Sequence, residues 1–252
     1  MKKKILTLCL MVCLAAMAIA GGTLAYFTAE DTADNVFTMK GIKVEINEEF
    51  EQESELLPGL DINKDIWVTN TGDSDAYVRV HIAIPAVLDD GDPAFAAYNN
   101  FLHWNFTKDS IADGQWSWLP EMTEGTGYRG NGEGNWNYYE TEIDGIEYAV
   151  YVVTYRSVLE AGEQTATQAL DKVYIDTSVD CEWDEAENCY YYTDDKGNTV
   201  YPSQYSNDED GNVTIKVIAE AAQTATFTDA YDALNTAFGI PGEYDPWFVP
   251  QQ

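Results

Sequence analysis

The sequence contains two histidines, and their spacing gives no peptidase motif. His81 lies in an apolar, strand-like segment, and His103 follows 22 residues later. Common zinc peptidases carry two histidines at helical spacing with a glutamate base, in the pattern HExxH. The sequence has no such pattern, so both histidines favour structural or exposed roles. We therefore expect no catalytic residues and no histidine metal site.

Carboxylates are abundant, with 44 Asp and Glu against 13 Lys and Arg and a net charge of −31. This charge excludes a general nucleic-acid binder and disfavours docking on anionic lipid. Adjacent acids such as Asp89 and Asp90 are inevitable at this content and favour a solvated face over a glycosidase pair. With Gly211 as the sixth position of a calcium loop, the twelfth falls on Val217 instead of glutamate. We expect no cofactor, and an adventitious Ca²⁺ site stays open as an alternative.

The cysteine content is consistent with an exported chain. Cys9 and Cys13 lie in the apolar N-terminal segment, which leaves Cys181 and Cys189, eight positions apart along the chain. An even pair at short spacing in an exported protein favours a small disulfide that closes a turn. Two free thiols are the main alternative, and a metal site lacks nearby histidines.

A long segment at about 105–145 is rich in tryptophan, tyrosine and glycine. Aromatic side chains on glycine-rich loops can form a platform that binds a glycan or another protein, which would make the protein an adhesin. The alternative is that these aromatics belong to the core and the sheet surfaces. The candidate platform residues are Trp104, Trp116, Trp118 and Trp136.

The N-terminus has the organisation of a secretory signal peptide. Three lysines at 2–4 precede an uncharged stretch at 5–20, which is shorter than the roughly 20 residues of a membrane span. We predict a signal peptide over 1–25, cleaved between Ala25 and Tyr26, and a secreted chain without a stable membrane anchor. An uncleaved signal anchor is the alternative. Cleavage would remove three lysines and no acid, which takes the net charge from −31 to −34.

The rest of the chain alternates in the manner of β-strands. β-branched and aromatic residues recur at period two over 41–46, 65–70, 76–84, 146–156, 170–176, 189–193, 199–201 and 212–219. The polar turn at 70–73 predicts a hairpin between the second and third strands. Helices are expected at 93–102 and 228–238, the latter capped by Thr228 and ended by Gly239, with Tyr231, Leu234 and Phe238 on its buried face. The tail 239–252 should be extended. This pattern predicts an all-β antiparallel sandwich over 40–252 with insertions at about 105–145 and 177–211.

Three segments resemble the TasA/camelysin family. Residues 21–28 read GGTLAYFT and are followed by Asn35, Phe37 and Gly41, similar to the start of family members. Residues 57–59, LPG, precede 64–72, KDIWVTNTG, similar to the family's Pro-Gly, strand and Asn-x-Gly segment. Residues 219–223, AEAAQ, with the following DAY at 229–231, resemble the C-terminal strand and helix of clostridial-type members.

The resemblance implies a jelly-roll sandwich, export with a dedicated SipW-type signal peptidase, and a structural role in a biofilm matrix or on the cell surface. The family description also includes a metallo-endopeptidase label. In fibre-forming relatives the mature N-terminal segment inserts as a strand into the next subunit. Here that segment is 26–39, with Phe27, Val36 and Phe37 as candidate anchors. The alternatives are that 26–39 packs on its own domain or stays disordered.

Overall fold

The computed structural model describes residues 41–50, 56–88, 101–105, 115–117, 138–208 and 211–247. The chain divides into two units, Met1–Met39 and Lys40–Gln252, and all described residues belong to the second. The predicted signal peptide, its cleavage site and the candidate anchors of 26–39 lie outside the described residues. Within the described part, no helix has the length and apolar character needed to span a membrane.

The described residues form twelve strands, a short 3-10 helix at Pro202–Gln204 and one α-helix, α1, at Ala230–Phe238. The strands are β1 Val44–Phe50, β2 Ile62–Asn70, β3 Ala76–Pro85, β4 Leu102–Asn105, β5 Trp116–Ser117, β6 Tyr138–Ile143, β7 Ile146–Tyr155, β8 Leu170–Ile175, β9 Asp180–Asp184, β10 Cys189–Thr193, β11 Thr199–Val200 and β12 Lys216–Gln223.

Two antiparallel sheets pack face to face around the main core. Sheet A has the order β1-β2-β8-β4, and sheet B has the order β12-β3-β7-β5, with β6 also paired to β7. Ile66 and Leu170 of sheet A share this core with Val80 and Val153 of sheet B, and all four are fully buried. The predicted all-β antiparallel sandwich is therefore confirmed.

Sheet B is covered on both faces. Strand β3 is buried along its whole length. Its residues Val78, Val80 and Ile82 point into the main core, whereas Tyr77 and Ala83 belong to two smaller clusters on the opposite, outer face. Helix α1 packs on that outer face against β3 and β12. A strand buried on both faces carries a nearly continuous apolar run instead of an alternating one.

The predicted hairpin between β2 and β3 is wrong, because the two strands lie in different sheets. Asn70 makes the crossover: its Nδ2 donates to Ser74 O at 2.8 Å and to Leu159 O at 3.0 Å. Its Oδ1 accepts from the Gly72 N–H at 3.1 Å. A Cβ on Gly72 would lie 2.5 Å from Gly41 O and 2.7 Å from Lys43 N, so glycine is required by close backbone approach. The Asn-x-Gly motif thus turns the chain from one sheet to the other.

The Leu57-Pro58-Gly59 motif forms a second tight turn. The Leu60 N–H donates to Leu57 O at 3.0 Å, and Gly59 has φ 76°. Proline followed by glycine at positive φ is the residue pair that a type II turn requires. The Gly59 N–H donates to Ile175 O at 2.9 Å, which fastens this turn to the end of β8.

The two predicted insertions are parts of the fold. The segment at about 105–145 contributes β5 and β6 to sheet B. The segment 177–211 forms a separate sheet of order β11-β10-β9, which packs on the main core through Val179, Val200 and Tyr205. Of the predicted helix 93–102, Leu102 instead begins β4, and 93–100 lie outside the described residues.

The C-terminal helix is present, but its cap differs from the prediction. Asp229 accepts a hydrogen bond from the Asp232 N–H at 2.9 Å and is the N-cap, which takes the place predicted for Thr228. Gly239, at φ 99°, ends the helix as expected. The buried face consists of Ala230, Ala233 and Leu234, whereas Phe238 is 38% exposed.

The described part of the predicted extended tail, residues 239–247, forms a turn instead. A turn forms in which Pro241 and Tyr244 make a β-bridge and the Glu243 N–H donates to Ile240 O at 3.0 Å. This turn brings Tyr244 back onto the outer face of sheet B, where it meets Arg79.

Candidate functional site

One side of the sandwich has an incompletely covered core. Strands β1 and β12 are the end strands of sheets A and B and lie next to each other. In the described part of the chain, β1 pairs only with β2 and β12 pairs only with β3, so the other edge of each strand is unpaired. The apolar side chains that line this side are only partly buried although they pack against the main core: Val44, Ile46, Val217, Ala219 and Ala221. We call this set the open edge.

The open edge has the chemistry of a strand acceptor. An end strand presents unpaired N–H and C=O groups, and an added strand can satisfy them while alternate side chains fill apolar pockets. Glu45, Glu48 and Glu49 on β1 are exposed and give this edge a negative charge. Such charges oppose indiscriminate pairing with another acidic chain, so strand addition here should strengthen when salt screens them.

A second feature is a buried polar cluster on the outer face of sheet B. Arg79 and Glu220 are opposite each other on β3 and β12, and Arg79 Nε donates to Glu220 Oε2 at 2.6 Å. His81, two residues along β3 and fully buried, has its Nε2 3.1 Å from the same oxygen. The Tyr244 hydroxyl donates to Glu220 at 2.7 Å. The buried carboxylate therefore receives hydrogen bonds from three side chains.

The donors around His81 suit the neutral form of its ring. The Trp247 Nε1–H, which can only donate, lies 3.0 Å from the Tyr139 hydroxyl oxygen. Tyr139 is then free to donate its own proton to His81 Nδ1, 3.1 Å away. In the neutral ring this arrangement places the proton on Nε2, directed at Glu220. Burial lowers the pKa of His81 below its ordinary value of 6.5, which agrees with this assignment.

The Glu220 carboxylate stays ionised despite its burial. Burial alone would raise its pKa, but the hydrogen bond from His81 and the positive charge of Arg79 hold the pKa of Glu220 below its ordinary value. The cluster thus contains a buried anion and a buried cation in direct contact.

Arg79 also holds the C-terminal segment. Its Nη1 donates to Asn235 Oδ1 at 2.9 Å, in α1, and its Nη2 donates to Gly239 O at 3.1 Å and to Tyr244 Oη at 2.6 Å. The Arg79 guanidinium also lies 5.7 Å from the centre of the Phe238 ring. One side chain in the middle of sheet B therefore binds the helix, its C-terminal end and the following turn.

We predict that the stability of the protein falls as the pH is lowered through the range below 6.5. In this window the unfolded chain binds a proton at His81, whereas the folded chain resists it, so the unfolded state holds more protons and the free energy of unfolding rises with pH. The slope from one such group is at most about 1.4 kcal/mol per pH unit. Urea unfolding at several pH values measures it.

The matched controls for this slope are His81→Gln and His103→Gln. His81→Gln should reduce the pH slope of the free energy of unfolding. His103→Gln should keep the contribution of His81 to that slope. Equal slopes in the wild type and His81→Gln would contradict the assignment of a neutral, buried His81.

The two histidines cannot share a metal ion. His81 lies on the outer face of sheet B, and His103 lies on β4 in sheet A, stacked on Tyr174 and 2.7 Å from Asp176 Oδ2. Across the described part of the chain, no three His, Cys, Asp or Glu side chains are grouped to hold a metal. The residues present in this part do not fit the zinc ion that a metallo-endopeptidase requires.

The predicted disulfide does not form in the structure, where both cysteines are free. On the β9–β10 pair, Cys181 is opposite Tyr192 and Cys189 is opposite Asp184. The two thiols are thus about three residues, roughly 10 Å, apart along the ladder and on opposite faces of the sheet. A disulfide needs Cα atoms within about 7 Å.

The predicted tryptophan platform is not assembled from the described residues. Trp116 is only 2% exposed; its ring packs on Tyr155, with centres 5.0 Å apart, and its Nε1 donates to Thr167 O. It is a core residue, which contradicts its predicted place in a ligand platform. Trp104 lies on β4 opposite Val173, and Trp118 and Trp136 lie outside the described residues.

The sequence interpretation missed Glu220 and Tyr244 as partners of Arg79. The sequence offers one signal for this cluster: Arg79 and His81 stand at alternate positions of an otherwise apolar strand. Such side chains need polar partners when they are buried.

One comparison with known families gives a match. Residues 1–90 match the family model described as camelysin metallo-endopeptidase. A search of curated proteins finds no match to the chain. The matched region includes β1, β2 and β3, together with the Pro-Gly turn and the Asn70 crossover. Over residues 1–90, the chain is similar to the camelysin family, in agreement with the resemblance seen in the sequence.

Proposed function

We propose that this protein is a secreted structural component of a biofilm matrix or cell surface that assembles into fibres. In this proposal a SipW-type peptidase removes residues 1–25, and 26–39 of one copy adds as a strand at the open edge of the next. The observation that supports it is the half-buried apolar lining between the free sides of β1 and β12.

The candidate donor segment suits this acceptor. It has aromatic or aliphatic anchors at both ends, Phe27 near the start and Val36 with Phe37 near the end. Donation of a strand to a different surface on the next copy is heterologous, so the contact repeats and gives filaments instead of closed dimers. Each copy would cover the core surface that the next one leaves open.

Electron microscopy of 26–252 and 40–252 over a range of salt concentrations tests the proposal. We expect filaments from 26–252, more of them at higher salt because the net charge of −34 is screened, and none from 40–252. A synthetic 26–39 peptide added in excess should stop growth by filling the open edge, and a scrambled peptide of the same composition should not. Filaments from 40–252, or no filaments from 26–252 at any salt concentration, would overturn the proposal.

A substitution in the open edge tests the acceptor surface independently of the donor segment. Ala219→Glu places a larger, charged side chain in the half-buried lining, so it should block assembly. Ala186→Glu makes the same change in an exposed turn and should not. Thermal unfolding of both monomers checks that the fold is kept. Assembly of a folded Ala219→Glu variant at wild-type rates would exclude the open edge as the acceptor.

The family description favours one other function, a metallo-endopeptidase. Proteolysis by the purified chain that is lost with a chelator and restored by zinc would support it.

A further inference from the structure

We propose that the free edge of β9 binds an extended, arginine-rich segment of another protein. The site is the β9–β10 hairpin, residues 180–193. It is separate from the open edge, because β9 belongs to the three-stranded sheet and not to sheet A or sheet B.

One face of the hairpin carries an exposed aromatic pair. Trp183 and Tyr190 are directly opposite each other on β9 and β10, with ring centres 4.9 Å apart. They remain 48% and 58% exposed. Tyr192, further along the same face of β10, packs against the main core, so the pair lies beyond the body of the domain. Large aromatics left in contact with each other and with solvent are typical of interaction surfaces.

The opposite face carries positioned carboxylates. The Tyr191 and Tyr201 rings are stacked, with centres 5.2 Å apart. The Tyr191 hydroxyl donates to Glu182, and the Tyr201 hydroxyl donates to Asp184 at 3.0 Å. Two hydrogen bonds hold the pKa of Asp184 below its ordinary value. The larger effect comes from the Ala186 backbone N–H and the smaller from the Tyr201 hydroxyl. Two carboxylates of β9 are thus held in place by aromatic hydroxyls.

The edge of β9 is available for pairing. It pairs with β10 on one side, and no strand among the described residues pairs with the other. A strand added there would alternate its side chains between the two faces. Residues on one face would meet Trp183, and residues on the other would meet Glu182 and Asp184.

Charge identifies the occupant. Residues 180–193 contain five acids and no lysine or arginine. A second hairpin would therefore be repelled, and so would segment 26–39, which has three acids and no base. Arginine fits both faces, because its guanidinium stacks on tryptophan and forms paired hydrogen bonds with a carboxylate. An extended segment with arginines at alternate or neighbouring positions is the partner that this edge would select.

Binding of a labelled peptide to the chain 26–252 tests the proposal, with fluorescence anisotropy as the readout. The probe is an eight-residue peptide with pairs of neighbouring arginines separated by pairs of valines, so that arginines reach both faces, and the control peptide has glutamate in place of arginine. We expect saturable binding of the first and none of the second. Trp183→Ala and Glu182→Gln should each weaken binding about tenfold, or 1.4 kcal/mol. Glu185→Gln, an equal charge change in the exposed turn, should leave it within twofold.

A second probe distinguishes strand addition from simple charge attraction. Methylation of alternate backbone nitrogens of the arginine peptide keeps every charge but removes ladder hydrogen bonds, so binding should fall at least tenfold. Equal binding of the methylated peptide, equal binding by Trp183→Ala, or no binding of the arginine peptide would each overturn the proposal.

Discussion

Replacing Arg79 with methionine should lower the free energy of unfolding by about 3–5 kcal/mol. Methionine keeps much of the apolar stem but leaves the buried Glu220 carboxylate without a cation, and removing one partner of a buried ion pair costs about this much. The change also removes the hydrogen bonds to Asn235, Gly239 and Tyr244. Urea unfolding followed by circular dichroism measures the loss.

A double-mutant cycle separates the ion pair from packing. Glu220→Gln alone should also destabilise, because Arg79 then becomes the uncompensated charge. The double variant Arg79→Met with Glu220→Gln should cost clearly less than the sum of the two single changes, since no buried charge is left unpaired. Additive costs would mean that the pair contributes no coupling energy. Proteolysis near residues 239–247 should increase in Arg79→Met, because this segment loses its attachment.

Replacing Asn70 with aspartate should cost about 2–4 kcal/mol, although the two side chains have nearly the same shape. A carboxylate cannot donate to Ser74 O or Leu159 O, and it places a charge where the side chain is fully buried. Losing these two hydrogen bonds and burying an unpaired charge together carry a penalty of this order. The midpoint of urea unfolding at neutral pH measures the loss.

Asn63→Asp is the matched control for this prediction. It makes the same change on the same strand, at a position that is exposed. Its free energy of unfolding should stay within about 0.5 kcal/mol of the wild type. An Asn70→Asp variant as stable as Asn63→Asp would show that the crossover does not depend on the amide donor.

The strands were predictable from the sequence because their signal is local. Alternation located β2, β3, β7, β8, β10 and β11 to within a few residues. What alternation cannot give is the pairing. The polar turn after Asn70 looks the same whether the next strand returns beside β2 or crosses to the facing sheet. Contacts with residues far along the chain determine which sheet the next strand joins. The Asn70 side chain donates to the Leu159 carbonyl, and the Asn70 backbone N–H donates to the Glu163 carbonyl.

The tryptophans illustrate a second limit. Trp116 lies between segments that are rich in glycine and polar residues, which favours a loop, yet two residues of pairing with β7 place its ring in the core. Such a short strand leaves no periodicity to detect. The buried cluster around Arg79 was equally hidden, because its partners come from β12, α1 and the tail.

The Arg79 cluster also constrains the time at which the protein can fold. Arg79 and Glu220 are 141 residues apart, and Arg79 and Tyr244 are 165 apart. As the chain is synthesised from its N-terminus, β3 emerges long before anything that can neutralise its arginine. Contacts between such distant residues slow folding, because a large loop must close before they form. The native state therefore requires residues as far along the chain as Tyr244, and a product truncated before Tyr244 would expose the outer face of sheet B to proteases.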